Sequence, residues 1–355
     1  MTRHNFKKKN EPAQIVDERM KEKMVREVSS GAVIDWLLEE ENPSVRYFAL
    51  TELLGEGPDS PVVSKARRAI MERGVVPAIL AKRAPDGSWG EPGKFYEDKY
   101  GGTAWQILVL AELGADGAHP AVRKSCELLI RSSQESGSGG FSYKGRAKGE
   151  GGLPSAVIPC LTGNMAYALY RLGMGADPRV KAAIEWIGRH QRFDDGGHVP
   201  APGDPYARLS ECFGGHSCHM GVVKALKALS QVPAAERSRE SEAAIAEGVE
   251  YLLMHRVHKS SREPTRVPKP GWLKFGFPLM YQTDALEILM ILARLGVRDP
   301  RTGETLKEVL KARGKDGKWR MANSMNGKMA VDIEKRGEPS KWITLRALWV
   351  LKELG

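Results

Sequence analysis

No stretch of this sequence approaches the roughly 18 uninterrupted apolar residues that a membrane-spanning helix needs. Its start lacks the short apolar core of a secretory leader. Four cysteines in 355 residues are too few for a disulfide scaffold. These absences lead us to expect a cytoplasmic protein without a transmembrane segment, whose thiols stay reduced and free to bind metal. Runs of alternating β-branched residues are also missing, so strands are not expected. Eight Trp and eight Phe is a modest aromatic supply for a chain of this length.

Charge is present in excess of one sign. The formal net charge is +10, from 54 basic and 44 acidic residues. That balance favours anionic partners. The charge is spread rather than massed, so a nucleic acid is not expected. Its densest run is Lys7, Lys8 and Lys9, followed by Lys21, Lys23 and Arg26. Residues 1–30 read as a basic, partly helical arm, and 31–355 as one domain.

A pattern recurs along that domain. A Gly-rich turn carrying an aromatic precedes a Thr or Ser that opens an apolar helix. Such turns are Asp86-Gly87-Ser88-Trp89, Gly139-Gly140-Phe141, Asp195-Gly196-Gly197-His198 and Asp316-Gly317-Lys318-Trp319. The openings are Thr103, Thr162, Ser217, Thr283 and Thr344, a period of about 60 residues that suits two helices and two loops per unit. The hydroxyls are expected to cap the first turns of their own helices. These helices are apolar nearly all round, as in Trp105 to Leu110, and should be buried on every side. More polar helices alternate with them, starting at His119-Pro120, Asp177-Pro178 and Asp299-Pro300. The expectation is an all-α fold: an α/α toroid of about six helix pairs in two concentric layers. Residues 137–154, rich in glycine, read as a flexible cover.

The Asp-Gly-Ser-Trp-Gly and Asp-Gly-Lys-Trp turns, with the Thr-Ala-Trp and Leu-Thr-Gly-Asn openings, resemble the prenyltransferase and squalene-hopene cyclase superfamily. The resemblance spans about residues 40 to 355. More narrowly, the Pro-Cys-Leu-Thr-Gly-Asn segment is similar to bacterial and archaeal prenyltransferase-like repeat proteins. It implies the toroid fold and chemistry at the hub. The Asp-x-Asp-Asp acid motif of class II cyclases and the Asp-rich magnesium motif of class I terpene synthases are both missing. Asp194-Asp195 lies in a repeat turn and reads as a turn signal.

Three cysteines fall in two adjacent units. Aligning the helices on Met165 and Met220 puts Cys160, Cys212 and Cys218 at the same end of neighbouring inner helices. Zinc favours thiolate and imidazole in a tetrahedral set. Cys160, Cys212, Cys218 and either His216 or His219 would supply one, catalytic or structural; the alternative is small buried thiols. Cys126, mid-helix, reads as structural. Asp284 and Tyr281 are the candidate proton-handling residues at the same mouth, Asp284 alternatively favouring its helix dipole. Lys99 and Tyr100 fit the same location. Two functions follow: a zinc-dependent enzyme acting on an apolar, isoprenoid or anionic small molecule, or a non-catalytic lipid- or peptide-binding toroid with structural zinc. Either leaves room for a protein partner.

Overall fold

Proline and polar caps set the helix starts. The computed structural model describes residues 31–199, 206 and 209–355. The basic arm expected over 1–30 lies outside the described residues. The helices are α1 (Gly31–Leu37), α2 (Pro43–Phe48), α3 (Pro61–Glu72), α4 (Val75–Ala81), α5 (Thr103–Glu112), α6 (Pro120–Ser133) and α7 (Pro159–Leu169). They continue as α8 (Pro178–His190), α9 (Ser210–Phe213), α10 (His219–Leu229), α11 (Arg239–Met254), α12 (Ala285–Arg294), α13 (Gly303–Lys311) and α14 (Lys341–Leu354). The fold is all-α: among the described residues β structure is limited to isolated bridges. No described helix is long and apolar enough to cross a membrane.

Starts at Pro120 and Pro178 use a proline whose missing N–H costs nothing in the first turn. His119 and Asp177 accept the N–H of Ala121 and Arg179. The helices that follow are amphipathic, burying one face only. By contrast, every residue of α5 and α7 is buried. The buried helices touch in succession: α5 with α7, α7 with α10, α10 with α12, α12 with α14, and α14 with α2. Phe48 of α2 then lies against Gly114, just past α5, where a Cβ would stand 3.0 Å from the ring. The first and last described helices are neighbours. Lys341 Nζ donates to Glu39 at 2.5 Å, and Lys352 Nζ to the Leu53 carbonyl at 2.9 Å.

The repeated threonines do something other than cap their own helices. Thr103, Thr162 and Thr344 make no cap bond there. Each hydroxyl accepts the backbone N–H of the aromatic in the preceding turn: Trp89 at 3.0 Å, Phe141 at 2.9 Å and Trp319 at 3.0 Å. A threonine already inside the first turn has its Oγ directed sideways, toward the neighbouring loop, so it fixes that loop to the helix. Ser217 is not in a helix at all. It precedes Cys218, the N-cap of α10, and bonds to Asp194. Residues 137–154, expected as a free cover, are tied down by the bridges Gln134–Phe141, Ser142–Val157 and Gly145–Gly152.

Candidate functional site

Two glycines bring the cysteine-bearing helices together. A Cβ on Gly163 would stand 2.4 Å from the Lys224 backbone carbon, and one on Gly221 would stand 3.0 Å from Pro159. Without side chains at these points α7 and α10 pack backbone to backbone. Their N-terminal ends, carrying Cys160 and Cys218, therefore lie side by side.

Cys218 is the N-cap residue of α10, though its side chain makes no cap bond there. Cys212, on the short α9, is the thiol that most favours the Cys218 thiolate; together with the Met220 and Gly221 backbone N–H groups it outweighs burial and brings the pKa down to about 6. Cys218, then burial, pushes the Cys212 thiol well above the ordinary value. Burial pushes the Cys160 thiol up to about 12, with the nearby Cys218 charge acting in the same direction. Cys126 sits alone in α6, raised to about 12 by burial.

The two histidines expected beside these thiols point elsewhere. His216 is exposed and lies against Gly196, next to Arg262. The His219 ring stacks on Trp272 with centroids 4.4 Å apart. Its Nε2 is shut off from solvent and has no hydrogen-bond partner. Burial holds its pKa down at about 3. Cys218 is the extended N-cap and His219 the first helical residue of α10, so sequence spacing does not set the two side chains on one side. Among the described residues no group of three or more Cys, His, Asp or Glu is arranged to hold a metal ion. The expected tetrahedral zinc set is thus not assembled: a contacting thiol pair and a third, nearby thiol stand where four donors were expected.

Asp284 is a helix cap. It is buried, and its two oxygens accept the N–H groups of Glu287 at 2.9 Å and Gly276 at 3.0 Å. Burial raises its pKa to about 6 despite these bonds. Each oxygen accepts one backbone N–H, which gives Asp284 a capping role. Tyr281 joins an aromatic wall. Its ring centroid lies 6.3 Å from that of Tyr100 and 6.2 Å from that of Trp105. Tyr96 continues the wall, 5.0 Å from Trp105 and 6.0 Å from Tyr143. Lys99 Nζ sits 4.8 Å from the Tyr96 and Tyr281 ring centroids alike. Beside this wall an open cleft of ≈ 400 Å³ is lined by Tyr96, Tyr143, Ile158, Leu209 and Cys212, with Ser210 and Glu211 at its polar edge.

No family model matches the chain, and no curated protein matches it. A crystal structure of a protein from Actinoplanes is similar at 15% identity and a TM-score of 0.44, covering 94% of this chain and 99% of that one. Similarity at that level carries no functional argument.

Deeper between the helices is a feature that the apolar reading of the inner helices missed. Lys224 and Lys227 of α10, Glu287 of α12, Glu112 of α5 and Arg346 of α14 form one buried ion network. Lys224 donates to both Glu287 oxygens, and Lys227 to Glu287 at 2.9 Å. Lys227 and Arg346 both donate to Glu112. Burial opposes the carboxylate charges, but the lysines and Arg346 outweigh it and hold Glu112 and Glu287 below the usual carboxylate range. The signal in the sequence was a few charges set in otherwise apolar helices: Glu112 in α5, Lys224 and Lys227 in α10, Glu287 in α12 and Arg346 in α14.

Proposed function

We propose that this protein is an α/α toroid of the prenyltransferase and squalene-cyclase type that works through a thiol at the N-terminal end of its inner helices. The succession of contacts among the buried helices supports the toroid. The observation that carries the functional part is the Cys212–Cys218 pair beside a tyrosine-lined cleft. A thiolate at a helix start, favoured by a neighbouring thiol, is a soft nucleophile at neutral pH. The cleft suits a largely apolar molecule. Lys99, held above two tyrosine rings, would receive its anionic group.

Alkylation with a pair of electrophiles tests this. Iodoacetamide and an N-alkyl maleimide of about eight carbons are each followed by intact mass and peptide mapping. The expected result is one adduct on Cys218, formed at least tenfold faster than at any other cysteine with either electrophile. Comparable rates at all exposed thiols would overturn the proposal.

Zinc supplies a second reading, which rests on Cys160 and Cys218 at two adjacent helix starts with Cys212 on the short helix before the second; the three would have to draw together around the ion. Zinc bound by these thiols would polarise a substrate oxygen or sulfur. Cys160, Cys212 and Cys218 would hold it, with the histidines taking no part. Elemental analysis of protein purified without added metal decides this. One zinc per chain, lost in Cys212→Ser and retained in His219→Ala, supports it; zinc-free protein of unchanged stability rejects it.

A further inference from the structure

At the other end of the inner helices, Glu112, Tyr167, Arg171, Lys227, Arg294 and Arg346 surround a cavity of ≈ 50 Å³. A water needs roughly 10–15 Å³ on this measure, so the space suits a few waters or one tetrahedral oxyanion. Its cations outnumber its carboxylates. Glu112 is already shared by Lys227 and Arg346, and Glu287 by Lys224 and Lys227. Arg294 pairs with Glu52 at 2.8 Å.

Arg171 is left over. It follows α7 on a π-helical turn (Tyr170–Met174) and is half-buried. Its guanidinium carbon lies 5.3 Å from the Phe48 ring centroid. Among the described residues no carboxylate and no carbonyl accepts from it. The negative ends of the surrounding helices offset part of the excess charge, yet they leave the guanidinium fork unfilled. A planar fork with free donors, in a partly desolvated cavity of net positive charge, matches a phosphate in both shape and sign.

We propose that this cavity binds a small oxyanion, a phosphate that is either the free ion or the terminal group of a small ligand. The site lies at the opposite end of the helices from the thiols and does not depend on their role.

Calorimetry on the full chain in phosphate-free buffer tests it, with inorganic phosphate and glycerol 3-phosphate as ligands. We expect saturable binding of one phosphate group per chain and a rise in Tm beyond that given by NaCl at equal ionic strength. Binding should weaken at least tenfold in Arg171→Gln and less in Arg171→Lys, and persist in Cys218→Ser. Binding of both ligands assigns a ligand's terminal group; binding of inorganic phosphate alone assigns the free ion. No saturable binding, or equal affinity in Arg171→Gln, overturns the proposal. The Tm of Arg171→Gln without phosphate should fall only slightly, because the side chain loses no hydrogen bond, only its contact with the Phe48 ring and its attraction to Glu112. If that variant misfolds, undiminished binding by Arg171→Lys and a salt-like Tm response would overturn it equally.

Discussion

Lys224 donates to both oxygens of Glu287, at 2.9 and 2.6 Å, with the two side chains 0% and 4% exposed. Removing one member of such a pair strands the other in a medium that cannot solvate it. Glu287→Gln should therefore lower unfolding free energy by about 3–5 kcal/mol. Replacing both by methionine should recover part of that loss. Urea denaturation of the single and double variants measures both effects.

The same network sets an acid limit. Glu112 and Glu287 have folded-state pKa values below their unfolded values. Their contribution is fully present above the unfolded pKa of about 4.3 and is lost as pH falls through the folded values. His219 adds to this from higher pH. Its folded value of about 3 lies below the unfolded one, so stability declines as pH falls below about 6.5. Thermal melts from pH 8 to 3 should show a shallow fall and then a steeper one. Histidine NMR should show the His219 ring neutral down to about pH 4.

Gly163 stands where two backbones meet. A methyl group there would lie 2.4 Å from the Lys224 backbone carbon and force α7 and α10 apart. Gly163→Ala should cost about 1–3 kcal/mol by overpacking. The same substitution should slow Cys218 alkylation, since it displaces the helix start at which the thiol sits. Denaturation and alkylation rates on one preparation check both.

Cys218 reactivity should follow its ionisation. The alkylation rate should rise with pH around a midpoint near 6, where the thiolate forms. Cys212→Ala removes the group that most favours the thiolate and should move that midpoint upward by at least one unit. A midpoint near 8.5 in the wild type, the ordinary thiol value, would contradict the stabilisation of the Cys218 thiolate by Cys212.

The threonine brackets are open to direct measurement. Thr162→Val keeps the shape but leaves the Phe141 N–H without its acceptor. A loss of about 1–3 kcal/mol is expected for a buried donor left unsatisfied, measured by chemical denaturation.

These residues also mark what the sequence made legible. Thr103, Thr162 and Thr344 announced the repeat through their spacing, although their hydroxyls serve the preceding turn. Reading a cap from residue type alone misses this, because the cap position depends on where the backbone first turns helical. Cys160 and Cys218 could be placed at one end because Met165 and Met220 align. The directions of His216 and His219 could not be read. One residue of rotation at a helix start moves a side chain across the site, and spacing does not fix that rotation. Lys224 and Glu287 lie 63 positions apart. Each alone looked like an ordinary charge on a helix, and only the three-dimensional packing shows that the two are partners.

Lys341 and Glu39, and Lys352 and Leu53, close the first described helices against the last. The two extremes of the described chain are thus in contact. Linear order becomes secondary to adjacency. A circularly permuted chain, opened in the loop between α10 and α11 and joined by a flexible linker from Gly355 to Gly31, would keep every inner-helix contact. The unit that begins the described chain would then simply be one more member of the set.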